Sequence, residues 1–239
     1  MAFQHGKSTG VLFDEFNFSS YFNAVSASRQ IQVVNTTTFG NDNKTYIPGI
    51  EEGSLSIQGL WDGAAAAVDA EFDAAIGSEG VFTICPEGFA TVGNRAIMMK
   101  AENVQYDIRS TVSDAVRIVL GGTADGGVRM AGRLLQDLAA ETTTFNGTNV
   151  DNTTSTAFGG VAHLHVTAFS GTSGVMKVQH SPDNSAWADL VTFTTVTGVG
   201  VQRSVVAGTT TVDRHLRFAI TADTFTSMTV ACAFARNRS

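Results

Sequence analysis

Ser54-Leu55-Ser56-Ile57-Gln58-Gly59-Leu60-Trp61 sets Ser54, Ser56 and Gln58 on one side of an extended chain and Leu55 and Ile57 on the other. A period of two marks a β-strand with one face in a core and the other in water. Upstream, Arg29 to Asn35 keeps the same rhythm, with Gln30 and Gln32 alternating with Ile31 and Val33. Both segments are expected to bury their apolar side.

Between them, Thr36 to Gly53 reads as a long polar loop, with Asn41-Asp42-Asn43 and Pro48-Gly49 as turn formers and Phe39, Tyr46, Ile47 and Pro48 as anchors. Its length exceeds ordinary hairpin loops, which points to function or an interface. After Trp61, Asp62 reads as an N-cap and Gly77 as the residue just past a helix. They bracket an Ala-rich run with Val68, Phe72 and Ile76 on one stripe. Val81 to Cys85, Arg95 to Ile108 and Val112 to Leu120 read as further strands, with Arg109-Ser110-Thr111 as a turn. A Gly-rich turn and a strand from Val128 to Leu135 follow. Ahead of all this, Phe13, Phe16, Phe18, Tyr21 and Phe22 form an aromatic arm without sustained period, which docks either on its own domain or on a neighbouring subunit.

Composition narrows the function. Of 239 residues 43% are hydrophobic, enough for real cores, and only 15% are charged, with a net charge of −7 that disfavours a phosphate-gripping protein. Residues 1–140 hold 9 Lys and Arg against 16 Asp and Glu, while residues 141–239 hold 6 against 6, and Thr rises from 9 to 20 across the same boundary. This shift suggests two domains, 1–140 and 161–239, with 141–160 as linker or first strand. No run of about 18 apolar residues occurs, and the first ten residues lack a signal peptide's apolar centre, so neither membrane insertion nor secretion is expected. Cys85 and Cys232 have no metal-type spacing and read as buried thiols.

The run Thr38-Phe39-Gly40, Lys44-Thr45-Tyr46-Ile47-Pro48-Gly49, Ser54-Leu55-Ser56 and Gly59-Leu60-Trp61-Asp62, followed directly by a helix, resembles the major tail tube proteins of long-tailed, siphovirus-type bacteriophages. The resemblance covers roughly residues 8–138. It implies a mainly β fold: a tail-tube-like β-sandwich flanked by one α-helix. It also implies six copies in a ring, inner sheets joined into a β-barrel around a lumen, and rings stacked into a tube. The long loop and the arm (Phe13, Phe16, Phe18, Tyr21, Phe22, Phe39, Tyr46, Ile47, Pro48) would bridge neighbours. Its implied partners are further copies of the chain, the tape-measure and tail-end proteins of the virion, and genomic DNA passing without specific binding. Its implied location is the virion tail, after synthesis in the host bacterial cytoplasm.

A face lined by Gln30, Gln32, Ser54, Ser56 and Gln58 suits such a lumen, because short neutral side chains on an acidic protein let DNA slide rather than bind through released counterions. The same alternation also describes the solvated face of an ordinary antiparallel sheet.

Residues 161–239 show the strand rhythm of an all-β sandwich, immunoglobulin-like or jelly-roll: Val161 to Phe169, Gly174 to His180, Trp187 to Thr195, Val201 to Val206, Leu216 to Ala222 and Thr226 to Phe234. His163 and His165 share a strand face as a metal pair would, with His180 or His215 as conceivable third ligands, yet no carboxylate or cysteine cluster accompanies them. Ser181 to Trp187 superficially resembles a sialidase Asp-box and reads as a tight hairpin, and Gly122 to Gly127 lacks the Lys of a phosphate-binding loop. No acid, base and nucleophile constellation is recognisable, so neither catalysis nor a cofactor is expected. The leading expectation is a self-assembling tail tube subunit whose last domain decorates the outside. The alternative is a binding module whose C-terminal sandwich attaches to host-surface glycan or another virion protein.

Overall fold

The computed structural model describes residues 5–64 and 67–238. These form thirteen strands and one α-helix: β1 (Gly10–Phe13), β2 (Phe16–Asn17), β3 (Phe22–Asn35), β4 (Tyr46–Leu60), α1 (Val68–Ala75), β5 (Glu79–Cys85), β6 (Arg95–Arg109), β7 (Arg117–Glu141), β8 (Phe145–Asn146), β9 (Val150–Asp151), β10 (Gly160–Ser181), β11 (Ala188–Thr192), β12 (Gly200–Val206) and β13 (His215–Arg236). The fold is mainly β, as the alternation requires.

By its contacts the chain makes two compact units that do not coincide with a division at residue 140. One comprises Met1–Ser20, Val81–Met98 and Arg129–Ser239; the other Tyr21–Gly80 and Met99–Val128. The composition shift marks the end of β7, but β13 pairs with β7 over Arg133 to Glu141, and within 141–160 both β8 and β9 pair with β13. Backbone pairing, rather than composition, sets the boundaries.

In the smaller unit β4 lies between β3 and β7, antiparallel to both, with Ser28 opposite Ser54, Ser26 opposite Ser56, and Ser54 opposite Thr123. Leu55 and Ile57 are buried while Ser54, Ser56 and Gln58 are exposed, so the alternation is realised as expected. Helix α1 covers the apolar face. Its Phe72 ring lies 6.1 Å from Phe22, and the Tyr106 hydroxyl donates to Asp69 on the helix. Burial, followed by that carboxylate, pushes the Tyr106 hydroxyl's pKa up.

The helix is shorter than its Ala-rich run, of which Ala65 and Ala66 lie outside the described residues. Its N-cap is Ala67, without a side-chain bond, while Asp62 instead accepts from the Ala64 amide. Val68 and Phe72 are buried, but Ile76 is exposed because the chain turns extended there, leaving Gly77 at φ +78 just past the end.

The larger unit carries the strand order β11-β10-β13-β7-β6-β5-β1-β2, with β12 on β10. β6 and β7 enter it through residues 95–98 and 129–141. Leu12, Cys85, Met98 and Leu134 pack with Ala231, Ala233 and Ala235 in one core cluster, and Leu164, Phe218 and Phe234 belong to another. The strands are longer than their sequence rhythm suggests. Gly174 to His180 continues Val161 to Phe169 within β10, and Leu216 to Phe234 is all β13, because register shifts near Val166, Gly171 and Val175 absorb the glycines without a turn. Likewise β7 runs 25 residues through Gly126 and Gly127, both at positive φ (+74 and +79), so the expected Gly-rich turn is a distortion inside one strand. Val112 belongs to the preceding loop and is fully exposed. There Asp114 accepts from the Ala115 amide and from Arg117, which delays the strand to Arg117.

Candidate assembly surface

The five residues expected on a lumen face lie on one face of the smaller unit's sheet. Directly opposite residues of an antiparallel pair share a face, so Ser28–Ser54 and Gln30–Glu52 tie the even-numbered residues of β3 to those of β4. Ser28 and Ser54 hydroxyls are 2.8 Å apart, and Gln32 donates to Glu52. Ser28, Gln30, Ser54 and Thr123 help line a shallow concavity of about 390 Å³. Gly121, opposite Ser56, keeps the face low: a Cβ there would meet Gln105 Oε1 at 2.9 Å. The face carries mostly uncharged polar side chains, with Glu52 contributing negative charge.

β3 pairs only with β4 among the described strands, so along Asn23 to Asn35 its outer edge has no strand beside it. A long edge of this kind invites pairing with another chain.

Beyond Ser28 the two strands continue together as a long hairpin, which corrects the expectation of an 18-residue loop. Tyr46 to Gly53 is strand, and the loop proper is residues 36–45, braced by Thr36, Thr37, Thr38, Asn41 and Thr45. Pro48 sits opposite Val33 just past a register shift, in a part of β4 that has no partner but β3, so its missing N–H costs no ladder bond. The expectation that Arg29–Asn35 buries one face fails here. Val33 and Ile50 are 63% and 78% exposed, and Ile31, Val34, Phe39, Tyr46 and Ile47 are exposed with them. The half-buried Arg29–Glu51 ion pair marks where the covered apolar face ends, and Glu51's bonding holds the Arg29 guanidinium above its ordinary pKa.

Phe13 and Phe18 are buried in their own chain; Phe13 lies 4.7 Å from Phe82, Phe16 stacks on Phe18 at 5.4 Å, and β1 pairs with β5. Tyr21 and Phe22 are half-buried at the start of β3.

Other candidate chemistry resolves into structure. His163 and His165 share a face and are buried, but both hydrogen-bond Thr83. His180 contacts Asp213 and His215 contacts Asn149, so neither joins them. Among the described residues no group of three or more His, Cys, Asp or Glu could hold a metal ion. Asp183 accepts from Ser185 and Ala186 amides and from the Ser181 hydroxyl, closing the expected hairpin. The Trp187 ring, the aromatic platform a glycan site would use, has the Arg217 guanidinium 4.2 Å over its centroid. Sequence reasoning missed Thr83, the partner of both histidines, because it lies 80 residues from them in the chain.

No family model matches the chain, and no curated protein matches it. The chain is similar, distantly, to solved virion structures. A chain of a native gene transfer agent virion shares 14% identity and a TM-score of 0.42, over 53% of this chain and 97% of its own. A tail chain from an empty gene transfer agent particle, refined helically with six-fold symmetry, shares 15% identity and a TM-score of 0.39, over 54% and 99%. The SPP1 Dit protein, described as a paradigm of the hub adsorption apparatus in phages infecting Gram-positive hosts, shares 11% identity and a TM-score of 0.38, over 95% and 98%.

Proposed function

We propose that the protein is a structural subunit of a phage tail that assembles with copies of itself into stacked rings, the tail tube through which DNA passes. The observation carrying this reading is the smaller unit's sheet. One face is covered by a helix, the other is uncovered and carries mostly uncharged polar side chains, β3 has no second strand partner along Asn23 to Asn35 among the described residues, and an apolar hairpin continues from it without cover in the single chain. Pairing that edge with the next copy around a closed ring removes the liability of a free strand, and the hairpin's apolar side chains gain a surface to leave water on.

The even face, Gln30, Gln32, Ser54, Ser56 and Gln58, then lines the lumen. A ring of six, contacts with tape-measure and tail-end proteins, and the place in the virion tail follow from the resemblance to tail tube proteins. The hairpin residues Phe39, Tyr46, Ile47 and Pro48 carry the contact between subunits in this reading. Phe13 and Phe18 serve their own core, and residues 161–239 face outward.

Negative-stain electron microscopy with sedimentation velocity across a concentration series tests it. Rings or hollow tubes with a central channel are expected; a monodisperse monomer at every concentration, alone and with purified tail tips as initiator, overturns it.

A further inference from the structure

A second polar cluster lies inside the larger unit, and its protons can be placed. His165 Nδ1 is 2.6 Å from the Asp14 carbonyl oxygen, which only accepts, so Nδ1 carries the hydrogen. His165 Nε2 is then a bare acceptor, and the Thr83 hydroxyl, 2.8 Å away, donates to it. With its proton so engaged, the Thr83 oxygen accepts from His163 Nδ1 at 3.0 Å. His163 Nε2 is left as a bare lone pair, fully buried and without a protein partner. The bonds therefore run one way, from His163 through Thr83 and His165 to Asp14, and join three separate pieces of the fold: the turn between β1 and β2, strand β5 and strand β10.

This chain has room for no further proton. One added at His163 Nε2 has no partner within hydrogen-bond distance, the Phe82 backbone giving only a weaker pull, and one added at His165 Nε2 evicts the Thr83 hydroxyl hydrogen from the bond it makes. The surroundings supply no stable counter-charge. Opposite the rings lie Ala233 and Ala231 on β13 and Val201 on β12, while Arg203 on β12, opposite His163, is itself cationic. The nearby acids are Asp14, whose Oδ1 accepts from the Val81 amide at 2.8 Å, and Glu15 beside it.

We propose that the His163–Thr83–His165–Asp14 chain is an acid-sensitive latch that holds β10 on the β1–β2 turn and β5 at neutral pH and releases them when the imidazoles take up protons.

Burial sets the order of titration. Desolvation raises the Asp14 carboxyl to about 6 and lowers the His165 ring to about 4, and desolvation, then His165 and Arg203, lower His163 as well against a contrary pull from the Phe82 backbone. Asp14 is therefore neutralised before the rings are charged, removing the one buried anion that could have balanced them. The signs oppose one another. Each ring binds protons more readily when open, so the closed state loses ground as pH falls from about 6.5 toward the closed-state value. Asp14 binds a proton more readily when closed and returns part of that loss below about 6. At pH 5 the His165 ring alone favours opening roughly thirtyfold and Asp14 opposes it roughly tenfold, a net of roughly threefold toward opening to which His163, lowered in the same direction, adds.

Hydrogen exchange read by mass spectrometry on the full chain, corrected for intrinsic rates, tests this between pH 7.5 and 4.5, beside ¹⁵N shifts of labelled histidine rings. Expected are Nδ1–H tautomers for both rings at pH 7.5 and a fall in protection of at least roughly threefold at the Asp14 and Val81 amides by pH 5. In H163Q/H165Q that fall disappears. Unchanged protection in the native chain down to pH 4.5, or an equal fall in the folded double variant, overturns the latch. Should the double variant not fold, the native chain's ring shifts and exchange still decide.

Discussion

The β3–β4 pair is one ladder with two halves. Near Ser26–Ser56 the strands lie beside β7 and beneath α1, and the apolar residues Leu55 and Ile57 are buried. Past Arg29–Glu51 the same two strands go on with the same kind of side chains, and Ile31, Val33, Ile47 and Ile50 stand in water. Alternation fixes which side chains share a face; only a third element decides whether that face is dry. Leaving half of such a ladder uncovered exposes a contiguous apolar surface to water, which is the physical content of the assembly proposal.

Substitutions separate the two halves, and their effects on stability fall in a definite order. Ile57→Ala in the covered half removes a fully buried side chain and is expected to cost about 2–5 kcal/mol. A denaturant midpoint unchanged from the native chain would show that this half is not a core. At the boundary, a Cβ on Gly53 would come within 2.3 Å of Val128 Cγ2 and 2.9 Å of Ala124 Cβ, so Gly53→Ala is expected to cost about 1–3 kcal/mol by overpacking. A cost under about 0.5 kcal/mol would mean the sheet gives way there freely.

In the uncovered half, V33S/I47S is expected to shift stability by no more than about 0.5 kcal/mol per site while abolishing rings and tubes in electron micrographs. Normal tubes from that variant would end the hairpin's role. Smallest of all, Ser28→Ala breaks one exposed hydroxyl pair and is expected to change thermal stability by less than about 0.5 kcal/mol and leave assembly intact.

What the sequence made legible follows the same division. Ser54 to Gln58 was readable because neutral and apolar residues alternate through it, and Arg95 to Ile108 was readable as a strand without that strict alternation, as was the existence of α1 from its Ala-rich stripe. Glycines misled wherever a strand bends instead of turning: Gly126-Gly127 inside β7, and Gly171 and Gly174 inside β10, use positive φ or a register shift to keep pairing. Pro48-Gly49 read as a turn because nothing local reveals that this stretch lacks a second neighbour. The shared face of Gln30, Gln32, Ser54, Ser56 and Gln58 was visible in advance, because a period of two carries it. The lack of a second strand beside β3 and the hydrogen bonds that link Thr83 to His163 and His165 depend on long-range pairing, which no local pattern encodes.

The distribution of the two units along the chain also sets an order of synthesis. A polypeptide lengthening from its N-terminus holds every residue of the smaller unit, Tyr21–Gly80 and Met99–Val128, once Val128 has been added. The core around Leu12, Cys85 and Met98 must wait for Ala231, Ala233 and Ala235, more than a hundred codons later. The growing chain therefore carries every residue of the sheet with the uncovered hairpin while β1 and β5 still lack the β13 residues that pack on them.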